Sequence, residues 1–157
     1  MLKILFFFTL ISLASCNLLG DGMQSPNTSQ GKSDAINFNG ILSTNSPDWQ
    51  LSSSLQRNYF DKSKYQNIDS IIFQAGLRTP SADVKCQAQL YIIDDGKEVY
   101  GSELTSVVNY QLNQLNTGNL KFSLPDNNVL LGVRLRSSKA GVTVYSGDAS
   151  YLKIYYH

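Results

Sequence analysis

Histidine and cysteine, which supply much of the nucleophilic and acid–base chemistry of enzymes, are almost missing from this chain. The 157 residues include one histidine, the terminal His157, and two cysteines, Cys16 and Cys86. A Ser–His–Asp or Cys–His arrangement would have to use a histidine at a chain end, where packing rarely holds a side chain. We therefore expect no histidine-dependent catalysis. The sequence also lacks a metal-binding or nucleotide-binding motif, and no cofactor is expected.

Excess charge of either sign is missing as well. The chain has 13 lysines and arginines against 12 aspartates and glutamates. Domains that bind nucleic acid are usually strongly basic, and electrostatic attachment to anionic lipid needs a cluster of basic residues. The balance therefore excludes nucleic acid as an expected partner, and it excludes a purely electrostatic attachment to a membrane.

A long apolar stretch occurs at the N-terminus, where residues 4–13 follow the single basic residue Lys3. A run of about ten residues is too short to cross a hydrocarbon core, which needs roughly 20 helical residues. It is typical of the central region of a cleaved signal peptide. The residues that end it, Leu13–Cys16 with the letters LASC, resemble the lipobox of bacterial lipoproteins. The alternative is an ordinary secretory signal peptide that happens to contain a cysteine.

The resemblance to a lipobox implies an anchor at Cys16. In proteins with this motif the cysteine thiol is joined to diacylglycerol, the chain is cut before the cysteine, and the freed amine is often acylated. Two or three acyl chains hold a protein stably, since each buried methylene contributes about 0.8 kcal/mol. Cleavage would remove 15 residues, including Lys3, and leave 12 basic and 12 acidic side chains. Because Asn17 follows Cys16 where an aspartate would favour inner-membrane retention, we expect the outer membrane of the cell envelope.

Composition divides the chain into three parts: the signal peptide 1–15, a lipidated N-terminus and flexible tether 16–33, and one domain 34–157. The tether is rich in Asn, Gly, Ser and Gln, with too few apolar residues to offset the entropy cost of ordering it. The remaining 124 residues are enough for a core without disulfides. With Cys16 taken by lipid, Cys86 has no partner for a disulfide within the chain.

Alternation of apolar and polar residues dominates the domain 34–157 and predicts an all-β fold. In the clearest case the apolar positions are Val84, Cys86, Ala88, Leu90 and Ile92. Such period-two alternation is typical of half-buried antiparallel strands. Further runs with this pattern are Ile71–Leu77, Val108–Leu112, Leu120–Leu124, Leu131–Leu135, Val142–Val144 and Leu152–Tyr156. Turn residues between them favour an antiparallel β-sandwich or barrel, while the segment 46–67 predicts a long loop or an irregular strand pair.

About 70 residues of the domain show a recognisable order of predicted strands and turn types. The segments are Ala88–Tyr91, Asp95–Lys97, Gly101–Leu104, Leu120–Pro125, Val133–Ser138 and Tyr151–Tyr155. Their arrangement resembles the jelly-roll modules of bacterial and phage surface proteins, among them carbohydrate-binding modules. The resemblance implies a jelly-roll β-sandwich. It implies no particular activity, because one sandwich architecture hosts many unrelated functions.

Carboxylates are the remaining candidates for catalysis, since a glycosidase needs only two of them. The acids of interest lie in predicted turns or beside a strand: Asp94, Asp95, Asp126, Asp148, Glu98 and Glu103. Aspartate is favoured in turns because its side chain bonds nearby backbone. Asp94 and Asp95 are candidates for calcium, but no further ligand ladder accompanies them. Cys86 lies on the apolar side of its strand and is expected to be an inert core thiol.

Aromatic and hydrogen-bonding residues on the polar side of several strands are the candidates for ligand binding. They are Tyr91, Tyr145, Tyr151, Tyr155, Gln87, Gln89, Arg134, Arg136 and Lys153. Aromatic rings stack on sugar faces, and arginine and glutamine donate paired hydrogen bonds to hydroxyls and carboxylates. The alternative is that tyrosine serves as a good strand former and the cations keep the sheet soluble. For the single tryptophan, Trp49, capping of the core is favoured over a role as a binding platform.

Together these observations predict a membrane-anchored envelope lipoprotein with a non-catalytic β-sandwich for binding or adhesion, with glycans as candidate ligands. Anchoring confines many weak sites to one surface, so that their contacts act together. The first alternative is a structural envelope protein that contacts another protein through a sheet edge or a loop face. The second is an envelope hydrolase built on a pair of carboxylates.

Overall fold

The structure, a computed structural model, describes residues 31–51, 56–108, 110–147 and 150–157. The predicted signal peptide, the predicted lipidation site Cys16 and the predicted tether as far as Gln30 lie outside the described residues, as does Asp148. Within the described ranges, no helix is both long enough and apolar enough to cross a membrane.

The described chain consists of short and medium β-strands with one 3-10 helix. In chain order the elements are β1 (Lys32–Phe38), β2 (Leu42–Thr44), β3 (Gln50–Leu51), β4 (Arg57–Phe60), the 3-10 helix (Lys62–Lys64), β5 (Ile68–Arg78), β6 (Cys86–Ile92), β7 (Lys97–Glu98), β8 (Leu104–Ser106), β9 (Asn113–Asn116), β10 (Val129–Ser137), β11 (Val144–Ser146) and β12 (Ser150–Tyr156). The first strand begins at Lys32, two residues before the expected start of the domain. The described part of the segment 46–67, expected to be a long loop or an irregular strand pair, holds two short strands and the helix; both strands pair with β10 and not with each other.

The strands form two antiparallel sheets. Sheet A has the order β1-β12-β5-β11-β2, with β9 also paired to β5, and sheet B has the order β3-β10-β6-β7, with β4 also paired to β10 and β8 to β6. Some short strands follow one another along the same neighbouring strands. β1 and β2 pair with β12 and β11, respectively, and β3 and β4 both pair with β10. Likewise, β11 and β12 run along β5, and β7 and β8 run along β6. Each sheet therefore has four broad strands in the described chain, and the fold is the predicted jelly-roll sandwich.

Alternation along the strands places the apolar side chains between the two sheets. The predicted inward residues of sheet B are buried: Cys86, Ala88, Leu90, Ile92, Leu131, Val133 and Leu135. Those of sheet A are buried as well: Ile71, Phe73, Ala75, Leu77, Leu152 and Ile154. The rings of Phe38 and Phe73 meet edge to face, with their centroids 6.3 Å apart. The core is continuous between the sheets, so the outer faces of both sheets are held on a rigid frame.

The predicted strand Leu120–Leu124 is wrong. Leu120 and Leu124 are buried, but Phe122 between them is 91% exposed. The Leu124 amide donates to the Leu120 carbonyl at 3.2 Å, so the segment forms a single tight turn. One helical turn brings residues four apart to the same side, and strand alternation does the same. A five-residue pattern with apolar ends therefore fits either structure.

The predicted strand Val108–Leu112 is also wrong, because strand β9 begins only at Asn113. Tyr110 has a φ of 57°, in the left-handed region that strands exclude. Its amide donates to the Thr79 carbonyl at 2.8 Å, just beyond the end of β5. The segment is therefore a loop folded back onto the end of β5.

Strand β5 defines two ends of the sandwich. Its first residue, Ile68, pairs with Tyr156, and Tyr156 pairs with Lys32, where the described chain enters sheet A. Its last residue, Arg78, lies ten residues further along, about 33 Å away at roughly 3.3 Å per residue. We call these the Lys32 end and the Arg78 end.

Candidate functional site

The residues predicted to bind a ligand lie on two opposite outer faces. Sheet B carries Tyr91, Gln87, Gln89, Arg134 and Arg136, all on β6 and β10. Sheet A carries Tyr145, Tyr151, Tyr155 and Lys153, all on β11 and β12. Because the core separates the two sheets, these side chains cannot contact one ligand together.

On sheet B, arginines and aromatic rings form a continuous stack. Arg134 lies over the ring of Tyr91 at 4.6 Å and over the ring of Trp49 at 5.1 Å, measured from the guanidinium carbon to the ring centroid. Arg136 lies over Trp49 at 4.5 Å. Such cation–π contacts are worth about 0.5–1 kcal/mol each at exposed sites. We call this surface the Trp49 face; it comprises Trp49, Tyr91, Gln87, Gln89, Arg134 and Arg136.

Trp49 does not cap the core, contrary to the expectation from the sequence. It is not among the buried core residues, and its ring packs on the outside of sheet B against the two arginines. The reason is its place just before β3, which pairs with the Arg134–Leu135 stretch of β10. The chain therefore brings the indole across an outward-pointing row of side chains.

Hydrogen bonds within the Trp49 face occupy the donors of Arg134. Its Nε and Nη2 donate to the Gln89 Oε1 at 3.1 and 2.8 Å, and Nη2 lies 3.4 Å from a carboxylate oxygen of Glu98. Gln89 sits directly opposite Arg134 in the ladder between β6 and β10. A buried amide oxygen needs such a donor, and Gln89 is only 8% exposed.

Arg136 is occupied in the same way. Its Nε donates to the Gln87 Oε1 at 3.0 Å, and its Nη2 lies 3.9 Å from a carboxylate oxygen of Glu103. Gln87 in turn donates to the Glu103 Oε1 at 2.6 Å. Both arginines of the Trp49 face therefore donate to a neighbouring glutamine and lie within 4.0 Å of a glutamate, so a ligand would compete with existing contacts.

On sheet A, two of the three predicted tyrosines are also engaged by neighbours. The Tyr151 hydroxyl donates to the Gln74 Oε1, and Gln74 donates to Gln114 at 3.1 Å. The ring of Tyr155 lies 5.0 Å from the ammonium of Lys153. These contacts cover the middle of the sheet and its Lys32 end.

Tyr145 has a different setting, since it lines a groove at the Arg78 end. The groove has a volume of about 480 Å³ and is lined by Arg78, Thr79, Pro80, Tyr110, Gly141, Val142, Thr143 and Tyr145. We call it the Tyr145 groove. Three segments build it: the end of β5, the loop that precedes β9, and the loop that precedes β11. Its walls combine two aromatic rings and apolar side chains with a few polar groups, the usual make-up of a ligand pocket.

Arg78 is the charged residue of the Tyr145 groove. It pairs with Tyr145 in the ladder between β5 and β11, and its guanidinium carbon lies 4.5 Å from the ring centroid of Tyr145. Within the described residues, no carboxylate lies within 4.0 Å of the Arg78 guanidinium. The groove therefore offers a cation that lies against an aromatic ring and has no acidic partner among the described residues.

Backbone hydrogen bonds hold the walls of the Tyr145 groove. Besides the bond from Tyr110 described above, the Thr79 amide donates to the Val108 carbonyl at 3.4 Å. On the other wall, the Gly141 amide donates to the Asn45 carbonyl at 2.9 Å. Tyr110 is 74% exposed although its backbone adopts a conformation that bulky residues rarely adopt. Residues in sparsely populated backbone conformations cluster at functional sites, which makes Tyr110 a candidate binding residue.

Cys86 lies beneath the Tyr145 groove. It is fully buried, as the strand pattern predicted, and its thiol donates to the Tyr145 carbonyl at 3.5 Å. Burial raises the pKa of the Cys86 thiol to about 12, so the reactive thiolate is scarce at neutral pH. Cys86 is therefore a core residue that supports the backbone of Tyr145 and does not line the groove.

The described acids considered for catalysis each contact a neighbouring group. Asp94 accepts the Leu130 amide at 2.8 Å, and the other described acids of that set are ion-paired: Asp95 with Lys97, Asp126 with Lys62, Glu98 with Arg134 and Glu103 with Arg136. In the described parts of the chain, no group of three or more His, Cys, Asp or Glu residues could hold a metal ion. His157 lies 3.2 Å from a carboxylate oxygen of Asp69.

Sequence reasoning missed Arg78, Tyr110, Pro80 and Val142 as members of one site. Tyr110 was placed in a strand that does not form, and Arg78 is the last residue of β5. A usable signal was present in Thr79-Pro80, because a proline ends a central strand and loops beyond strand ends often carry binding residues.

No family model matches this chain, and no curated protein matches it in sequence. Among solved structures, the chain is similar to VP2 of the infectious bursal disease virus subviral particle, with a TM-score of 0.52 and 15% identity. That match covers 89% of this chain and 37% of the viral chain, so this chain spans little more than a third of its length. A structure of T=1 particles derived from infectious bursal virus gives a TM-score of 0.49 and 13% identity, over 89% of this chain and 36% of that chain. At such low identity the likeness shows the fold alone: an antiparallel jelly roll of two sheets.

Proposed function

We propose that this chain is a bacterial envelope lipoprotein, anchored through Cys16, whose sandwich binds glycans without catalysis at the Tyr145 groove. The N-terminal sequence supports the anchor, because a short apolar run ends at a lipobox-like Leu13–Cys16. The composition of the groove supports the ligand class. Tyr145 and Tyr110 provide rings that can stack on a sugar face, and Thr79 and Thr143 line the same space.

The position of the groove carries this proposal. The described chain enters the sandwich at Lys32, whereas the Tyr145 groove lies at the Arg78 end, about 33 Å along β5. A domain held by a tether before Lys32 would present the groove away from the anchoring membrane. Anchoring would also confine many copies to one surface, so that weak individual sites act together.

Binding is tested with the full chain, purified in a nonionic detergent and applied to a glycan array. The wild type is expected to bind a subset of glycans, and Tyr145→Ala is expected to weaken that binding about tenfold through loss of a stacking ring. Tyr155→Ala is the matched control, because Tyr155 also points outward from sheet A but lies near the Lys32 end. Equal losses in the two variants, or no glycan binding by the wild type, would contradict the proposal.

The anchor is tested by the intact mass of the protein isolated from bacterial membranes. The wild type is expected to begin at Cys16 and to carry the added mass of a diacylglycerol and an acyl chain such as palmitate. Cys16→Ser is expected to remove both the cleavage and the lipid, while Cys86→Ala keeps them. An unlipidated wild type would overturn the anchor, and fractionation of the envelope would show whether the lipidated form resides in the outer membrane.

A second candidate function is a structural one, in which the chain contacts another envelope protein. The observation in its favour is Phe122, an apolar side chain that is 91% exposed in the loop before β10. Crosslinking in intact cells from a photoreactive residue at position 122 tests it. One stoichiometric protein adduct, together with the absence of glycan binding, would favour the structural function over recognition.

A further inference from the structure

We propose that the glycan bound in the Tyr145 groove is acidic and that Arg78 binds the carboxylate of a uronic acid residue. This inference rests on the proposed function, since it names the class of sugar for the same groove. It makes the groove selective for sugars in which a carboxylate replaces the exocyclic hydroxymethyl group.

The described lining of the groove carries a positive charge. Of the eight described residues around the groove, Arg78 is cationic and none is acidic. The described acid nearest in sequence to Pro80, Asp83, is engaged in its own loop, where its carboxylate accepts a hydrogen bond from the Ser81 hydroxyl. Among the described residues that line the groove, an anion would therefore meet an attractive charge without an opposing one.

Arg78 differs from the arginines of sheet B in its side-chain partners. Arg134 and Arg136 each donate to a glutamine and lie within 4.0 Å of a glutamate. Arg78 has the aromatic contact that they have, but within the described residues it has no carboxylate partner. A guanidinium presents planar paired donors that match a carboxylate, and such charge-assisted pairs are the stronger hydrogen bonds.

The Tyr145 ring also orients the side chain of Arg78. Tyr145 holds the guanidinium of Arg78 against its ring, with 4.5 Å between the guanidinium carbon and the ring centroid. The contact restricts a side chain that would otherwise be mobile, so less entropy is lost when a ligand binds. The volume of about 480 Å³ lies within the range of roughly 300–1,000 Å³ found for ligand pockets. A pyranose ring stacked beside Tyr110 could then direct its carboxylate to Arg78.

The test is calorimetric titration of the full chain in a nonionic detergent with matched pairs of methyl glycosides. Each pair differs only at the exocyclic carbon: glucuronide against glucoside, galacturonide against galactoside, and mannuronide against mannoside. For at least one pair, the wild type is expected to bind the uronide about 10-fold to 100-fold more tightly than the neutral sugar. Arg78→Gln is expected to abolish the preference for the uronide, so that the two members of the pair bind with affinities within about twofold of each other.

Arg136→Gln is the matched control, because it removes a guanidinium that also stacks on an aromatic ring but lies on the Trp49 face. It is expected to keep the preference for uronides, and thermal melting of each variant shows that it is folded. If the wild type binds both members of every pair equally, and Arg78→Gln changes neither, the inference is overturned while glycan binding stands. If the wild type binds no glycoside of the panel, the inference fails, and the glycan array decides separately whether the proposed function stands.

Discussion

The Trp49 face and the Tyr145 groove both place arginine against an aromatic ring, but they differ in what else the arginine contacts. On the Trp49 face, Arg134 and Arg136 are bound by glutamine and glutamate side chains from the neighbouring strands. In the groove, Arg78 stacks on Tyr145 and has no described carboxylate within 4.0 Å. Similar residue pairs are thus tied into the sheet in one place and, in the other, leave an arginine without a described acidic partner.

The difference follows from position in the fold. Residues in the middle of paired strands face partners directly across the ladder, as Arg134 faces Gln89. Cross-strand pairs of this kind stabilise a sheet. Arg78 is the last residue of β5, where the ladder ends and loops take over. An outward arginine is therefore a better candidate for binding at the end of a strand than in its middle.

The largest expected effect concerns Cys86, the buried thiol that donates to the backbone carbonyl of Tyr145. In a Cys16→Ser variant Cys86 is the only thiol, and its labelling by a thiol reagent at pH 8 should be about a thousandfold slower than in denaturant. The factor follows from a pKa of about 12 in place of 9.0, and exclusion of the reagent adds to it. Rapid labelling of the native protein would mean that the groove opens into the core.

Stability at alkaline pH should reflect the same burial. A thiol with a folded pKa of about 12 and an unfolded pKa near 9.0 favours folding fully below pH 9, and this contribution is lost as the pH rises towards 12. Burial and the nearby Asp34 raise the pKa of Tyr65 to about 12 from 10.0, which adds a loss in the same direction above pH 10. Between pH 9 and 10, the free energy of unfolding of Cys86→Ala should therefore depend less on pH than that of the wild type. Parallel curves would contradict this account.

The second prediction separates the two arginine environments by stability. Arg134→Ala leaves the buried Gln89 oxygen without its donors and should lower the free energy of unfolding by about 2–3 kcal/mol. Arg78→Ala loses only one exposed aromatic contact and should lower it by about 0.5–1 kcal/mol. Urea denaturation measures both values. Equal losses of stability in the two variants would show that Arg134 contributes no more to folding than Arg78 does.

The third prediction concerns Trp49 itself. Trp49→Ala removes contacts with two guanidinium groups and should lower the free energy of unfolding by about 1–2 kcal/mol. Its affinity for the glycan should remain within about twofold of the wild type, since the groove is lined by other residues. A large loss of glycan binding, with stability unchanged, would show instead that the ligand binds at the Trp49 face.

The smallest effect is expected for Tyr110, the aromatic at the rim of the groove. Tyr110→Ala should weaken glycan binding about fivefold, as one stacking contact is lost while Tyr145 and Arg78 remain. Tyr59→Ala provides the control, since Tyr59 is also largely exposed but lies on β4 of sheet B. Calorimetry that shows no difference between these variants would remove Tyr110 from the site.

Most of the fold could be predicted from the sequence because half-buried strands impose alternation. The patterns around Leu90, Val133 and Ile154 all lie on strands whose apolar residues face the core. Prediction failed for Leu120–Leu124 and Val108–Leu112, where apolar residues of loops also show spacing of two and four. A pattern of five residues does not distinguish a turn whose apolar residues pack into the core from a strand of the sheet.

The candidate site was less predictable than the fold. The sequence indicated which tyrosines and arginines point outward, but not which of them share a face or already have partners. Those facts depend on pairing between distant strands, such as β5 with β11 and β6 with β10. Arg78 and Tyr110 were missed because they lie 32 residues apart in the chain and meet only where loops close the Arg78 end.

The central claim, that the Tyr145 groove and not the Trp49 face binds the ligand, is tested most directly by NMR. Two-dimensional spectra of the full chain in detergent would be recorded during titration with the methyl glycoside that binds most tightly. The account predicts shifts for the backbone amides of Thr79, Tyr110 and Thr143, while the single indole N–H signal of Trp49 stays in place. Movement of the Trp49 signal, with the groove amides unchanged, would contradict it.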